Sequence, residues 1–229
     1  MKIKSFNLSL LAFLLVIPSY SCASKKQSKA KTSKTIKWDF EKTTLDSIPK
    51  HWKIEATRSK GALATWKVIT DKTAPSGTKV LALTKINHFY PGTFNLCWTN
   101  NISFLNGEIS LKFKSHTGKE DQGGGIMWRV KDKNNYYVVR FNPLEDNFRL
   151  YTVKRGIRRM LATAKVHLKA GKWHSMKIIH RGKRIKAYLN GKKLLDYKTN
   201  VFSKAGGVGV WTKSDAVTSF DDFTVTLQK

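Results

Sequence analysis

Arginine and tyrosine residues recur between positions 129 and 151 at spacings that place them on one face of a β-sheet. The set comprises Arg129, Tyr136, Arg140, Arg149 and Tyr151. A guanidinium offers a planar fork of donors that fits a carboxylate or sulfate, and a tyrosine offers a flat ring and a hydroxyl that suit a sugar. These residues predict a ligand-binding groove. An ordinary solvent-facing sheet surface is the alternative interpretation.

Two short loops are expected to bring these residues together. A loop at 132–135 would set Lys131 opposite Tyr136, and a loop at 143–146 would set Asn142 opposite Asn147. The other face of the three strands is then apolar and carries Ile126, Trp128, Val130, Tyr137, Val139, Phe141, Phe148 and Leu150. A slip of one residue would invert every side chain, so the agreement of two hairpins predicts which face is buried.

Tryptophan and cysteine positions extend this interpretation. If Val208 and Val210 point into the core, Trp211 must face the groove, because side chains alternate along a strand. Trp98 and Trp128 are predicted to be core residues. Cys97 lies in an apolar context, which favours a small buried residue over a catalytic thiol.

The acidic and histidine residues form no motif that indicates catalysis. Glu120 and Asp121 are adjacent and would point to opposite faces of a strand, while Glu145 and Asp146 fall in the predicted loop 143–146. The six histidines, at positions 51, 88, 116, 167, 174 and 180, have no close metal-ligand spacing. A pair of carboxylates flanking a glycosidic bond is therefore not expected.

The chain is strongly basic, with 43 lysines and arginines, 15 acidic residues and a net charge of +28. Beyond residue 37 there are 35 basic and 15 acidic residues, so the folded part itself carries about +20. This charge favours acidic partners. Hydrophobic residues at 41% and aromatic residues at 11% exclude a disordered chain, and two cysteines exclude a disulfide-stapled miniprotein.

The first 22 residues have the features of a secretory signal. Lys2 and Lys4 precede an apolar run over residues 10–17 that is too short to span a bilayer, and the segment ends at Cys22. It resembles a bacterial lipoprotein signal, which implies acylation of Cys22 and anchoring in the bacterial cell envelope, facing the periplasm or in the outer membrane. Ordinary cleavage and secretion is the alternative. Residues 23–35 are predicted to be a Lys/Ser-rich tether, and residues 36–229 the folded domain.

Short alternating segments dominate the rest of the chain. Ile109, Leu111 and Phe113 alternate with polar residues, and Asn190-Gly191 separates two such segments as a two-residue hairpin turn does. We expect twelve to fourteen strands and no long helix. The pattern predicts an all-β fold, a two-sheet antiparallel jelly-roll sandwich, with a closed barrel as the alternative.

Four stretches, at 123–129, 135–141, 171–174 and 220–223, resemble the concanavalin A-like lectin/glucanase superfamily. Within it, the chain is similar to bacterial secreted domains described as family 16 glycoside hydrolase-like, laminin G-like or 3-keto-disaccharide hydrolase domains. The resemblance covers nearly all of residues 36–229. It implies a jelly roll that binds ligands on its concave face.

The resemblance also implies what chemistry to look for. Family 16 glycosidases use Glu-x-Asp-x-x-Glu, and this spacing does not occur in the chain. A 3-keto-disaccharide hydrolase would need a base, and no histidine is singled out for that role. Relatives of the fold often hold a structural calcium ion, for which Asp39 and Asp222 (or its neighbour Asp221) are the candidate ligands.

The leading hypothesis is a non-catalytic, envelope-anchored carbohydrate-binding module for an acidic or other polysaccharide. Its ligand contacts would be Arg129, Tyr136, Arg140, Arg149, Tyr151 and Trp211. The alternatives are a 3-keto-glycoside hydrolase or lyase, and a structural protein that binds anionic lipid or lipopolysaccharide. Nucleic acid is not an expected partner, because the chain carries an export signal and no nucleic-acid motif.

Overall fold

Strand-forming sequence produces fifteen strands and no helix in the residues that the structure describes. These residues, in a computed structural model, are Met1, 33–87 and 90–228. The strands are β1 Ser33–Trp38, β2 Lys53–Thr57, β3 Thr65–Thr70, β4 Lys79–Lys85, β5 Phe94–Phe104, β6 Gly107–Thr117, β7 Gly124–Asp132, β8 Asn135–Asn142, β9 Asn147–Lys154, β10 Ile157–Lys165, β11 Trp173–Arg181, β12 Arg184–Leu189, β13 Lys192–Lys198, β14 Gly206–Lys213 and β15 Val217–Gln228.

The strands form two antiparallel sheets. One has the order β13-β12-β11-β6-β15-β4-β3, with β1 added against β15, and the other has the order β10-β9-β8-β7-β14-β5-β2. The predicted two-sheet jelly-roll sandwich is therefore confirmed. Strand β1 begins at Ser33, so the last three residues of the predicted tether (23–35) belong to the sheet instead.

The main core lies between the two sheets. It contains seven of the eight residues predicted for the apolar face of β7–β9, namely Ile126, Trp128, Tyr137, Val139, Phe141, Phe148 and Leu150. Cys97 is also fully buried there, and burial raises the pKa of its thiol. The thiol is thus held protonated in the core, as the sequence predicts.

A second buried cluster lies on the face of the seven-stranded sheet that points away from this core, which we call the outer face. Its members are Phe94, Leu96, Trp98, Met127, Val130, Tyr136, Val138, Tyr151, Val153 and Trp211. Trp98 is buried as predicted but belongs to this cluster and not to the core between the sheets. Its Nε1 donates to Glu55 Oε2 at 2.9 Å, and Lys53 Nζ lies 4.0 Å from the ring centroid.

The β7–β8 hairpin departs from the predicted register. Met127 pairs with Val138 and Trp128 with Tyr137, whereas the turn closes with Asp132 opposite Asn135. The register predicted from Lys131 opposite Tyr136 therefore holds only at the turn, and over residues 124–128 the pairing is shifted by two. Extra residues on β7 form a bulge at Arg129, where φ is +46°, and the bulge moves Val130 to the outer face.

The β8–β9 hairpin has the predicted register. Asn142 pairs with Asn147, Arg140 with Arg149, and Val138 with Tyr151. These pairs place Arg140, Arg149 and Tyr151 side by side on the outer face, because neighbours across a ladder share a face.

The predicted turn at Asn190-Gly191 is also confirmed. It joins β12 to β13, and its two residues have φ of +48° and +79°, as a type I′ turn requires.

Candidate functional site

One carboxylate joins the two arginines that the β8–β9 hairpin brings together. Glu145 Oε2 accepts a hydrogen bond from Arg140 Nη2 at 2.9 Å, from Arg149 Nη1 at 2.9 Å and from Asn147 Nδ2 at 2.8 Å. Arg140 Nη1 also donates to Asn147 Oδ1 at 2.6 Å, and its Nη2 lies 3.5 Å from the Tyr151 hydroxyl. Three of the predicted ligand contacts, Arg140, Arg149 and Tyr151, thus lie together.

Arg158 lies over the aromatic residues of this face. Its guanidinium carbon is 4.5 Å from the ring centroid of Tyr151, 5.1 Å from that of Phe94 and 5.9 Å from that of Trp211. The side chain reaches this place because Arg158 pairs with Val153, which lies on the outer face with Tyr151. We call Phe94, Arg140, Tyr151, Arg158 and Trp211 the arginine–aromatic site.

The floor of the arginine–aromatic site is fixed by hydrogen bonds beneath it. Trp211 Nε1 donates to the Tyr136 hydroxyl at 3.2 Å, and that hydroxyl lies 2.9 Å from Thr57 Oγ1. Tyr136 is fully buried, and its burial raises the pKa of its hydroxyl. Trp211 faces the outer side as predicted, whereas Tyr136 lies below it as a support.

Asp121 forms a second polar group beside the arginines. Its Oδ1 accepts from Asn142 Nδ2 at 3.0 Å and its Oδ2 from Lys213 Nζ at 2.9 Å. Burial raises the pKa of this carboxyl, although the charges of Arg140 and Lys213 oppose the shift. Asp121 is 1% exposed, so both of its oxygens are engaged within the protein.

Glu145 is held ionised at the rim of the site. Burial alone would raise its pKa, but hydrogen bonds from Asn147 and Arg140 and the charges of Arg140 and Arg149 outweigh it and lower the pKa to about 2. Its side chain is 41% exposed and that of Arg149 is 32% exposed. This edge of the site is therefore open to solvent.

Two nitrogens of the site have no hydrogen-bond partner among the described residues. They are Arg140 Nε and Arg158 Nη1, and both are buried. A buried donor without a partner costs about 1–3 kcal/mol relative to a paired one. The rings of Phe94, Tyr151 and Trp211 lie buried with them, so the part of the site that solvent reaches is the rim at Arg149 and Glu145.

Arg129 does not join the site. Its side chain donates four hydrogen bonds to the carbonyl oxygens of Leu105, Gly182 and Phe202, at 2.6–3.2 Å. Arg129 is 3% exposed. The prediction that it lies on the groove face is wrong, and its contacts are those of a residue that joins three loops.

The candidate calcium ligands are engaged with other groups. Asp222 Oδ1 accepts from Lys37 Nζ at 2.8 Å and from Ser76 Oγ at 2.7 Å, and Asp39 Oδ1 accepts from the Glu41 amide at 3.3 Å. Within residues 33–87 and 90–228, no group of three or more His, Cys, Asp or Glu side chains is arranged to hold a metal ion. Lys37 thus pairs with one of the candidate ligands, and calcium binding stays a prediction.

Cys22 and the signal and tether through residue 32 lie outside the described residues. Among the residues that the structure describes, there is no helix long and apolar enough to span a membrane.

Sequence reasoning missed three residues of this region: Asp121, Glu145 and Arg158. The sequence predicts Glu145 in the loop between β8 and β9. This loop is short, and it brings the Glu145 carboxylate back over the end of β8 and the start of β9. Arg158 follows the turn Arg155-Gly156, where both residues have positive φ. Extending the strand register across that glycine would have set Arg158 opposite Val153 and on the face of Tyr151. No local signal in the sequence identifies Asp121.

Comparison with known families identifies the family of the chain. The sequence profile of the 3-keto-alpha-glucoside-1,2-lyase-like domain matches residues 50–226. The chain belongs to this family. The expected resemblance is therefore confirmed. Over 119 residues the chain is also 28% identical to levanase of Bacillus subtilis (strain 168), which is 51% of this chain but only 17% of the levanase.

Solved structures share the fold of this family member. Carbohydrate-binding module CBM66 from Bacillus subtilis matches with a TM-score of 0.59 and 19% identity, over 80% of this chain and 99% of the module. The Bacillus licheniformis beta-glucanase matches with a TM-score of 0.58 and 9% identity, over 85% and 98%. Domain 4 of AbnA, a GH43 extracellular arabinanase from Geobacillus stearothermophilus in complex with arabinotriose, matches with a TM-score of 0.52 and 14% identity, over 77% and 82%.

Proposed function

We propose that the protein is a carbohydrate-binding module whose arginine–aromatic site holds a sugar ring. The observation that carries this proposal is the guanidinium of Arg158 over Tyr151, Phe94 and Trp211, beside two donor nitrogens without partners. The rings themselves are buried beneath Arg158, so the sugar would contact the arginine side of the site and the exposed rim at Arg149 and Glu145. Charged donors and acceptors there suit its hydroxyl oxygens. The CBM66 module and the arabinotriose complex among the structural neighbours support a saccharide ligand.

The same site supports binding more strongly than catalysis. A lyase acting on a 3-keto-glucoside removes the proton at C2, which the neighbouring ketone acidifies, and expels the C1 substituent. Asp121 is the carboxylate near the site whose pKa is raised, as a base working near neutral pH needs. Both of its oxygens, however, accept hydrogen bonds from Asn142 and Lys213. We therefore propose a non-catalytic role, with the 3-keto-glycoside lyase or hydrolase as the second candidate.

A matched pair of variants tests the site. Arg158 and Arg159 are neighbours on β10 but point to opposite faces, and Arg159 is exposed. The full chain, Arg158→Gln and Arg159→Gln are titrated with levan, arabinotriose and mixed-linkage glucan by isothermal calorimetry. We expect Arg158→Gln to lower the affinity for the saccharide that binds at least tenfold, and Arg159→Gln to leave this affinity unchanged. Equal affinities for all three proteins would refute the proposed site.

A second assay separates binding from catalysis. The full chain is incubated with a 3-keto-α-glucoside, and release of the C1 substituent is followed with Asp121→Asn as the comparison. A binding module releases nothing. Turnover that disappears in Asp121→Asn would replace the binding proposal with the lyase.

We further propose that Cys22 is acylated and anchors the module in the bacterial cell envelope. The anchor is inferred from the signal-like residues 1–22 and places the sugar site at the cell surface or in the periplasm. Labelling of cells with a radioactive fatty acid tests it. We expect label in the natural chain and none in Cys22→Ala, and equal label in both would refute the anchor.

A further inference from the structure

Three turns meet beside the arginine–aromatic site and enclose a pocket whose charged side chains are all basic. The lining includes Arg58 after β2, Lys133 in the β7–β8 turn and Arg155 in the β9–β10 turn, and no acidic residue lines it. We call these three the basic pocket. None of them forms an ion pair with an acid in the described part of the chain, whereas Arg140 and Arg149 share Glu145.

The backbone around the basic pocket is fixed. The Gly156 amide donates to the Asn134 carbonyl at 3.0 Å, which ties the β9–β10 turn to the β7–β8 turn. Thr57 Oγ1 hydrogen-bonds to the Lys133 carbonyl, which ties in the end of β2. Asp132, the acid next to Lys133 in the chain, already accepts hydrogen bonds from the Asn134 amide and the Asn135 side chain. The backbone that carries the three cations is therefore tied together, while their side chains are exposed and Arg58 Nη2 donates to the Tyr90 hydroxyl at 3.1 Å.

The basic pocket is continuous with the proposed sugar site. Gly156, in the β9–β10 turn, is two residues before Arg158 on β10, a separation of at most about 7 Å. Thr57 lies between the two places, since its Oγ1 contacts both the Tyr136 hydroxyl below Trp211 and the Lys133 carbonyl. A sugar chain that occupies the arginine–aromatic site would thus extend over the basic pocket with its next unit.

We infer that the basic pocket binds an anionic substituent, a carboxylate or a sulfate, on the saccharide that occupies the arginine–aromatic site. The inference rests on the proposed function and specifies its ligand as an acidic glycan. Guanidinium and ammonium groups are the usual partners of both anions, and charge-assisted hydrogen bonds are about twice as strong as neutral ones. It also moves the recognition of charge away from Arg140 and Arg149, which Glu145 already pairs.

A charge-matched pair of triple variants tests this inference. In the first, Arg58, Lys133 and Arg155 are changed to Gln. In the control, Arg181, Lys183 and Lys192, which are exposed and lie at hairpin ends of the other sheet, are changed to Gln. Both lose three positive charges. Each full chain is titrated with a uronic-acid oligosaccharide, a sulfated oligosaccharide and a neutral oligosaccharide of the same length.

We expect the natural chain and the control to prefer an acidic over the neutral oligosaccharide. The pocket variant should lose that preference by about tenfold, the effect of one charge-assisted hydrogen bond, and keep its affinity for the neutral one. Equal loss in both triple variants would show that net charge alone is responsible. No preference in the natural chain would overturn the inference, and so would an unchanged preference in the pocket variant.

Two further measurements separate this inference from its alternatives. Binding of both triple variants to vesicles of anionic phospholipid is measured. If the pocket variant loses vesicle binding but keeps its affinity for acidic glycans, the pocket binds lipid and the inference is overturned. Neutral-sugar binding that depends on Arg158, without any acidic preference, would refute the pocket alone. Absence of all sugar binding would refute the proposed function together with it.

Discussion

Two buried arginine regions lie on the same β7–β10 ribbon and differ in how their donors are used. Arg129 directs its guanidinium into the carbonyls of Leu105, Gly182 and Phe202, and none of its nitrogens is unpartnered. Arg140 and Arg158 contact side chains and rings and each keep one buried nitrogen without a partner. A buried arginine that is fully satisfied by backbone stabilises the fold, whereas the proposed sugar site rests on arginines that keep a spare donor. An unpartnered donor is not by itself a mark of a site, since His180 Nε2 beside Arg129 is also buried without a partner in the described residues.

The region around Arg129 also contains a buried hydrogen bond between two side chains. Trp128 Nε1 donates to His180 Nδ1 at 2.9 Å, so the imidazole is neutral with its proton on Nε2. His180 is fully buried, and burial together with the charge of Arg129 lowers its pKa to about 3. We call Trp128, Arg129 and His180 the Arg129 cluster, and we expect its variants to change stability and leave ligand affinity intact.

The largest effect is expected from Arg129→Met. The substitution leaves the carbonyls of Leu105, Gly182 and Phe202 without a side-chain donor, and each of these part-buried hydrogen bonds from a charged group contributes about 1–2 kcal/mol. Removing the desolvated charge offsets part of this, so we expect the free energy of unfolding to fall by about 4 kcal/mol. Urea denaturation measures it. Arg149→Met, on the exposed rim, is the matched control and should change by about 1 kcal/mol or less.

The next effect is a pH dependence set by His180. Its pKa is about 3 in the folded protein against an ordinary 6.5, so the unfolded chain takes up a proton that the native one refuses. Stability is complete above pH 6.5 and falls as the pH is lowered, by about 1.4 kcal/mol per unit, until about pH 3. In His180→Gln, whose amide oxygen can accept from Trp128, this slope should be absent. Parallel unfolding curves for both proteins between pH 7 and 4 would contradict the assignment.

The opposite behaviour is expected of Arg158→Gln. Arg158 makes no ion pair in the described residues, and its contacts with Tyr151, Phe94 and Trp211 are cation–π contacts worth about 0.5–1 kcal/mol. We therefore expect the free energy of unfolding to change by about 1 kcal/mol or less while sugar affinity falls at least tenfold. A variant that lost several kcal/mol of stability with its affinity intact would place Arg158 with the Arg129 cluster.

The sequence predicts the fold and part of the site. A short loop fixes the register of one hairpin, whereas a bulge changes the register of the other. The β8–β9 register follows from its short loop, and it places Arg140, Arg149 and Tyr151 correctly. The β7–β8 bulge shifts pairing by two, an even number, so most side chains keep their faces and only Arg129 and Val130 change. The alternation of residue types does not reveal this bulge, because Arg129 there contacts carbonyls of residues that are distant in the chain.

The smallest effect on stability is expected from Glu145→Gln, which also tests whether Arg140 and Arg149 bind the ligand. The folded pKa of Glu145 is about 2, below its ordinary 4.5, so its contribution is present above pH 4.5 and is lost as the pH falls toward 2. Since the side chain is 41% exposed, we expect a difference of about 1 kcal/mol or less at pH 7, closing below about pH 3.

The substitution also frees Arg140 and Arg149 of their shared carboxylate. Affinity for an acidic oligosaccharide should therefore rise, by about two- to fivefold, a gain that misfolding cannot produce. Calorimetric titration at pH 7 measures it, and a loss of affinity would mean that Glu145 itself accepts hydrogen bonds from the sugar.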